Sequence, residues 1–147
     1  MKYEHLYVKR ADKNATFVYD IRPEHAVTLI TGNSGTGKTL FFRLYKALHP
    51  NDVLLIDSSF YDVRESIPAL IQKSKANWVF IDSFDLLCTQ ALDTFIAKDG
   101  GVNHLYLLAG RSVYQCTNGF LGLAGLQRGY NKEKNEYLIT LDYMRKF

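Results

Sequence analysis

Gly32, Lys38 and Thr39 belong to the segment of this 147-residue chain whose chemistry is the most specific. The segment reads GNSGTGKT from residue 32 to residue 39. Glycines permit positive φ angles that curl a loop until successive backbone N–H groups point inward, and such a concave array binds phosphate oxygens. The spacing therefore predicts a phosphate-binding loop formed by Gly32, Asn33, Ser34, Gly35, Thr36, Gly37, Lys38 and Thr39.

Lys38 and Thr39 have different roles in this prediction. The Lys38 ammonium would reach the terminal phosphates of a nucleoside triphosphate and stabilise their negative charge. The Thr39 hydroxyl would bind a Mg²⁺ ion that bridges the same phosphate oxygens. We therefore expect a nucleoside triphosphate and Mg²⁺ as the cofactors of this loop.

A Mg²⁺ ion needs a second protein ligand, and two apolar runs of the sequence end in an aspartate. VLLID ends at Asp57 and WVFID ends at Asp82. Both carboxylates stand where a metal ligand could follow a buried strand, so both are candidates, with Asp57 acting directly or through water. Either aspartate could instead cap the helix that follows it.

Five apolar strands alternate with helical patterns over most of the chain and would position these groups. The strand runs are AVTLIT (26–31), VLLID (53–57), WVFID (78–82), HLYLLAG (104–110) and YLITLDY (137–143). Helical spacing occurs at 38–49, from about residue 66, and at 87–96. This alternation predicts an α/β three-layer sandwich, with a mostly parallel five-stranded sheet and helices on both faces. Ligands of such sheets bind beyond the carboxyl ends of the strands.

Two segments lie outside this alternation. Residues 1–22 contain two short strand-like runs around a polar ADKNA turn, and they predict an N-terminal β-hairpin. Residues 118–136 contain four glycines, and they could form a short helix with a turn or a mobile loop near the nucleotide. With 47% hydrophobic residues the chain can bury one core, so we expect a single domain with 23–147 as its nucleotide-binding core.

The loop, the IDSFD segment and the strand order resemble the additional-strand P-loop NTPases, the division that holds the AAA-type and RecA-like ATPases. The resemblance covers about residues 26–143, and its specific part is the Walker A loop. It implies ATP as the nucleotide, in keeping with the lack of a guanine-reading N-K-x-D element. It also favours Asp82 as the Walker B aspartate, because one strand-helix unit separates Asp82 from Asp57.

The resemblance also directs attention to residues that would act on the γ phosphate. A glutamate often follows the Walker B aspartate in these proteins, whereas Ser83 follows Asp82 here, and either Asp85 or Glu65 could substitute for it. A polar sensor after the fourth strand would correspond to Arg111, which could stabilise phosphate charge or simply be solvated. The helical lid of AAA-type proteins has no counterpart, so the chain resembles a minimal, lidless domain.

Three functions remain open at the sequence level. The first is a Mg²⁺-dependent ATPase or ATP-driven switch that acts on a protein or nucleic-acid partner. The second is a small-molecule or nucleotide kinase, although the segment 118–136 offers a closing lid only one arginine, Arg128. The third is a module that binds ATP without hydrolysing it.

Composition places further limits on these functions. The formal charge of +3 neither requires nor excludes a nucleic-acid partner. Cys88 and Cys116 lack the short spacing of a metal or redox site, and the four histidines show no metal-ligand pattern. No apolar run is long enough to span a membrane, so the sequence predicts a cytoplasmic protein. The N-terminal strand edge could also support a homo-oligomer.

Overall fold

The computed structural model of the protein describes residues 4–32, 37–110 and 121–144. Its strands are β1 (Leu6–Ala11), β2 (Thr16–Ile21), β3 (Val27–Thr31), β4 (Val53–Ile56), β5 (Trp78–Ile81), β6 (Leu105–Ala109), β7 (Leu121–Asn131) and β8 (Glu136–Tyr143). Its α-helices are α1 (Lys38–Leu48), α2 (Ile67–Lys73), α3 (Phe84–Leu87) and α4 (Gln90–Asp99). A 3-10 helix, Ser58–Ser66, connects β4 to α2.

All eight strands belong to one mixed sheet with the order β1-β2-β8-β7-β3-β6-β5-β4. The pairs β1–β2 and β7–β8 are antiparallel, whereas β2 and β8 are parallel. The neighbours from β7 through β3, β6 and β5 to β4 all pair in parallel. The carboxyl ends of β3, β4, β5 and β6 therefore lie along one edge of the sheet.

The predicted mostly parallel five-stranded sheet in a three-layer sandwich is wrong, because the sheet has eight strands and contains antiparallel pairs. The run at 137–143, expected to be the last parallel strand, turns back against β7 as β8. The N-terminal hairpin is not a separate addition either. Its second strand pairs with β8 from Thr16↔Glu136 to Asp20↔Thr140, so β1 and β2 extend the same sheet.

Strand β7 is the element that the sequence did not predict, and its glycines explain the omission. Glycine weakens isolated strands, so the pattern of residues 118–136 predicts a short helix with a turn or a loop and no strand. In the folded protein an added Cβ on Gly122 would lie 2.3 Å from the His25 ring and 2.6 Å from the Tyr143 ring. The glycine is therefore required by the packing of two aromatic rings, a tertiary constraint that overrides local strand propensity.

Two hydrophobic clusters cover opposite faces of the sheet, since successive strand residues alternate between them. The first cluster contains Ile30 and Phe80 and packs against α1, where the Phe42 and Phe80 rings stack with centroids 4.8 Å apart. The second cluster contains Leu29 and Ile81 and packs against the helices α2, α3 and α4. The two clusters fix α1 and α3 on either side of the carboxyl ends of β3 and β5.

The local sequence explains where α1 and α4 begin. Helix α1 has Gly37 as its N-cap, with a φ of 97° in the left-handed region that glycine adopts without strain. The helical stripe predicted over 87–96 is divided into α3 and α4. The division falls at Cys88 and Thr89, where the Thr89 hydroxyl accepts a hydrogen bond of 3.1 Å from the Leu92 N–H and caps α4.

Candidate functional site

The strand register brings the predicted site residues to one edge of the sheet. Ile56 pairs with Ile81, and Ile81 pairs with Leu108, so β4, β5 and β6 end at nearly the same level. Asp82 directly follows β5, and Gly110 directly follows β6. The amino end of α1 lies over this edge.

Thr39 and Asp82, two of the three predicted Mg²⁺ ligands, are in direct contact. The Thr39 hydroxyl donates a hydrogen bond of 2.7 Å to Asp82 Oδ2. The Ser83 N–H donates a bond of 2.9 Å to Asp82 Oδ1. The fold thus places a hydroxyl oxygen and a carboxylate side by side at the start of α1.

Lys38 lies at the same end of α1, with only 9% of its surface exposed. Its ammonium donates a hydrogen bond of 2.5 Å to the backbone carbonyl of Gly32. The contact joins the two ends of the predicted phosphate-binding loop. Four residues of the prediction, Asn33, Ser34, Gly35 and Thr36, lie outside the described residues.

A cavity of about 350 Å³ opens beside these groups. It is lined by Lys38, Thr39, Asp82, Ser83, Asp85, Leu86, Ala109 and Gly110. Asp85 lies on the first turn of α3, and an added Cβ on Gly110 would be 3.2 Å from Asp85 Oδ1. The close approach of this glycine leaves room for the Asp85 carboxylate at the cavity wall.

Ser83 holds an unusual backbone conformation between the two carboxylates. Its φ of 57° and ψ of 45° place it in the left-handed region, which residues other than glycine rarely adopt. Non-glycine residues in this region cluster at functional sites because the surrounding fold must hold them there. The turn at Ser83 lets both Asp82 and Asp85 line one cavity.

Asp57 has a different environment from Asp82. Its Oδ1 accepts hydrogen bonds from the Ser59 N–H at 3.0 Å and from the Ser59 hydroxyl at 2.5 Å, so it caps the 3-10 helix. The Ser59 hydroxyl bond holds the pKa of the Asp57 carboxyl below its usual value. Among the described side chains, Asp57 is not one of those that line the cavity. A role at the metal remains a prediction for Asp57.

Two arginines were also predicted to act at the site or close over it, and only Arg128 lies in the described part of the chain. Arg111, the predicted sensor, lies outside the described residues. Arg128 is on β7, where its guanidinium lies 5.6 Å from the centroid of the Tyr137 ring. Sequence reasoning missed Gly110 and Leu86 as cavity residues. The position of Gly110 directly after a buried strand was the signal that could have identified it.

The donor set fits a magnesium nucleotide better than a protein-held metal. Within the described part of the chain, no group of three histidine, cysteine, aspartate or glutamate side chains could hold a metal ion. Mg²⁺ is normally held by one or two carboxylates together with substrate phosphates, so a single hydroxyl-carboxylate pair suffices. The Lys38 ammonium supplies positive charge beside that pair.

Comparisons with known proteins show similarity at the level of fold. No family model matches the chain, and no curated protein matches it. A chain of the solved structure described as "Model of ribosome-bound archaeal Pelota and ABCE1" is similar with a TM-score of 0.57 and 10% identity. The match covers 99% of this chain and 37% of that chain.

No helix among residues 4–32, 37–110 and 121–144 has the length and apolar character needed to cross a membrane.

Proposed function

We propose that this chain is an ATP-binding P-loop protein that acts as a Mg²⁺-dependent ATPase or ATP-driven switch on a macromolecular partner. The observation that carries the proposal is the hydrogen bond of 2.7 Å between Thr39 and Asp82, which are 43 positions apart in the sequence. In a glycine turn without function, nothing would require the threonine to contact a carboxylate at the end of a separate strand.

Strand order supports the same proposal. β6 pairs with both β3 and β5, so one strand separates the strand before the loop from the strand before Asp82. This is the separation that the resemblance to additional-strand P-loop NTPases implies. The argument concerns the order of these three strands and is independent of the hydrogen bond between Thr39 and Asp82.

In this proposal Thr39 and Asp82 hold the Mg²⁺ ion, and Lys38 with the backbone of the loop holds the phosphates. The bound ion would neutralise negative charge that develops on the phosphate oxygens. Asp85 would orient a water molecule, and its position in the same cavity as Asp82 and Lys38 supports this role. Arg111 remains a proposed contributor to charge stabilisation.

A macromolecular partner is the second part of the proposal. Its support is the fold-level similarity to a chain from a structure that contains a ribosome-bound assembly. We expect nucleotide binding to change the loops after the strands and so to change affinity for a protein or nucleic acid. A homo-oligomer and a cytoplasmic location remain predictions of the sequence.

The test is phosphate release from Mg²⁺-ATP by the purified protein and by Lys38→Ala. We expect steady release that falls about 100-fold or more in the variant, since a charge-stabilising donor at the transferred phosphate is lost. Lys73→Ala is the matched control, because Lys73 is an exposed lysine in the last turn of α2. Equal rates in Lys38→Ala and the wild type would refute the proposal.

Two further arms separate the alternative functions. Turnover that appears only when a phosphate acceptor is added would assign the chain to the kinases. Tight ATP binding without release under any condition would assign it to the modules that bind ATP without hydrolysis. If release is observed, Asp85→Asn is expected to lower the rate while leaving ATP affinity nearly unchanged.

A further inference from the structure

Three aromatic side chains form a row across β2, β8 and β7, which are strands whose pairing the sequence did not predict. Phe17 on β2 pairs with Tyr137 on β8, and Tyr137 pairs with Tyr130 on β7. Arg128 lies two residues before Tyr130 on β7, so both side chains point to the same face. We call Phe17, Tyr130, Tyr137 and Arg128 the aromatic platform.

The rings of the platform are in contact with one another. The Phe17 and Tyr137 rings are stacked, with centroids 5.2 Å apart and planes 13° apart. The Tyr130 and Tyr137 centroids are 4.7 Å apart. The Arg128 guanidinium lies over the Tyr137 ring. Tyr130 ends the row and is 52% exposed, so the row presents an aromatic surface to solvent.

The turn between β7 and β8 holds the platform in place. The Tyr130 hydroxyl donates a hydrogen bond of 2.8 Å to Asn135 Oδ1. The Asn135 side-chain amide donates to the carbonyl of Asn14, and the backbone carbonyl of Asn135 accepts from the Thr16 N–H at 3.1 Å. These hydrogen bonds join the two hairpin turns and restrain the Tyr130 ring. Little further side-chain entropy is therefore lost when a ligand binds.

The platform lies next to the predicted phosphate-binding loop. The last β3–β7 pair is Thr31↔Gly125, so β7 continues past the end of β3 as far as Asn131. Tyr19, two residues after Phe17 on the same face of β2, donates a hydrogen bond of 3.4 Å to the Gly37 carbonyl. Phe17, the first ring of the platform, is therefore only two residues along β2 from Tyr19, the side chain that contacts the amino end of α1.

The cavity and the platform lie on opposite sides of β3. The cavity is at the ends of β5 and β6, whereas the platform is on β7, β8 and β2. The amino end of α1 lies between them, because the Gly37 carbonyl accepts the Tyr19 hydroxyl bond on the platform side and Thr39 lines the cavity. A nucleotide whose terminal phosphates face Asp82 can therefore extend its nucleoside in the direction of Tyr130.

Packing against the first hydrophobic cluster accounts for Phe17 and Tyr137 but not for the exposed side chains of Tyr130 and Arg128. Arg128 is exposed, and no carboxylate forms an ion pair with it in the part of the chain that the structure describes. Aromatic rings bind nucleobases by stacking, and an arginine beside them adds cation–π and phosphate contacts. A base with a phosphate attached is the chemistry that matches this combination.

We propose that the aromatic platform binds the base of the nucleotide whose phosphates occupy the Gly32–Thr39 loop. This inference rests on the proposed function, because it requires a nucleotide in that loop. Tyr130 supplies the open stacking surface, Tyr137 and Phe17 support it from behind, and Arg128 contacts the sugar-phosphate. The phosphate-binding loop would recognise the phosphates, and the platform would add affinity for the nucleoside.

The test compares the binding of Mg²⁺-ATP and of Mg²⁺ with inorganic triphosphate by calorimetry. Tyr130→Ala is expected to weaken ATP binding about tenfold, the effect of one lost base-stacking contact. Binding of inorganic triphosphate is expected to be unchanged, because that ligand has no base. Tyr130→Phe keeps the ring and is expected to retain most of the ATP affinity.

Tyr61→Ala is the matched control for the platform variants. Tyr61 is also an exposed tyrosine with an arginine over its ring, Arg64 at 4.2 Å, but it lies on the 3-10 helix. We expect this variant to bind both ligands as the wild type does. A loss of ATP affinity as large as that of Tyr130→Ala would show that exposed tyrosines in general, and not the platform, affect binding.

The remaining outcomes distinguish this inference from the proposed function. If the wild type binds both ligands and Tyr130→Ala weakens neither, or weakens both equally, the platform does not bind the base and the proposed function survives. If the wild type binds neither ligand, both proposals fail. Binding of an oligothymidine that depends on Tyr130 but not on Lys38 would instead assign the platform to single-stranded nucleic acid, and would overturn the inference.

Discussion

Two aspartates at opposite ends of the parallel strands have contrasting surroundings. Asp82 follows the carboxyl end of β5, is half-buried and faces the cavity. Asp99 ends α4 near the amino end of β6, and only 7% of its surface is exposed. Asp99 accepts hydrogen bonds from His104 Nδ1 at 2.7 Å, from the Tyr106 hydroxyl at 2.6 Å and from the Asn103 amide at 3.0 Å.

The difference separates a structural carboxylate from one that can bind a ligand. The partners of Asp99 come from its own neighbourhood, and His104 Nε2 also contacts the Ser74 carbonyl at 2.9 Å. Burial, together with the Asp99 carboxylate, raises the pKa of the Tyr106 hydroxyl, so this donor stays protonated. Among the described residues, Asp82 has one side-chain hydrogen-bond partner, a hydroxyl that a metal ion could engage at the same time.

The largest effect that tests this comparison is the stability loss of Asp99→Ala. Removing this carboxylate leaves buried donors on His104 and Tyr106 without their acceptor, and breaking such a buried pair costs about 3–5 kcal/mol. We expect urea denaturation to show a loss of this size. Asp82→Ala, at a half-buried site with a solvent-exposed partner, is expected to cost less than about 1 kcal/mol.

The two variants are expected to reverse their order when Mg²⁺-ATP binding is measured. Asp82→Ala should lose Mg²⁺-dependent affinity, whereas any Asp99→Ala protein that remains folded should bind as the wild type does. Equal stability losses in the two variants would mean that Asp82 is a structural carboxylate too. The assignment of the cavity as a ligand site would then have lost its main support.

The site was more predictable from the sequence than the sheet. The residues Lys38, Thr39 and Asp82 could be named because their chemistry depends on residue type and short-range spacing. These three residues come together because three buried strands pair in the sheet. Each of those strands can be recognised in the sequence from its own apolar run. Asp57 and Asp82 have the same strand-end signal, however, and only the fold shows that Asp57 caps a helix while Asp82 contacts Thr39.

Sheet topology could not be obtained in the same way. The direction of β8 depends on the β7–β8 turn, where Asn135 has a φ of 47° and joins the neighbouring hairpin. The assignment of β7 as a strand depends on the contact of Gly122 with His25 and Tyr143, which are distant in the sequence. The aromatic platform was missed for the same reason, because cross-strand pairs decide which aromatic residues meet.

An intermediate effect is expected from alanine at Gly122 of β7, and Gly125, three residues further along the same strand, provides the matched comparison. Gly122→Ala places a methyl group against the His25 and Tyr143 rings, and such overpacking typically costs about 1–3 kcal/mol. Gly125 has no atom within 4 Å of an added Cβ. We therefore expect Gly125→Ala to change the free energy of unfolding by less than about 0.5 kcal/mol.

Urea denaturation of both variants measures the difference directly. Gly122→Ala is expected to unfold at lower urea concentration with an unchanged slope, which is the sign of lower stability without a change in the surface exposed. If Gly122→Ala were as stable as the wild type, the close packing of β7 against β8 and the segment around His25 would be looser than described. The position of the aromatic platform on the far half of β7 would then also need revision.

The smallest expected effect concerns the third aspartate, Asp57, and its pH dependence. Its folded pKa lies below the usual value of 3.8 because the carboxylate accepts the Ser59 hydroxyl bond. A lowered folded pKa contributes stability that is fully present above the unfolded pKa and is lost as the pH falls through the folded value. The Asp57 side chain is partly exposed to solvent, so we expect this contribution to be well below about 1 kcal/mol. Ser59→Ala should raise the Asp57 pKa towards 3.8, as measured by NMR titration of the carboxyl carbon.

The same titration in the presence of Mg²⁺-ATP tests whether Asp57 senses a bound metal ion. A carboxylate that only caps the 3-10 helix keeps its Ser59 bonds when nucleotide is bound, so the Asp57 titration curve should not move. A carboxylate that binds the ion, directly or through water, is held ionised by the positive charge and titrates at lower pH. We expect no such downward shift for Asp57. A shift at Asp57 would restore it as a metal ligand, because the helix cap alone gives it no means of sensing the nucleotide.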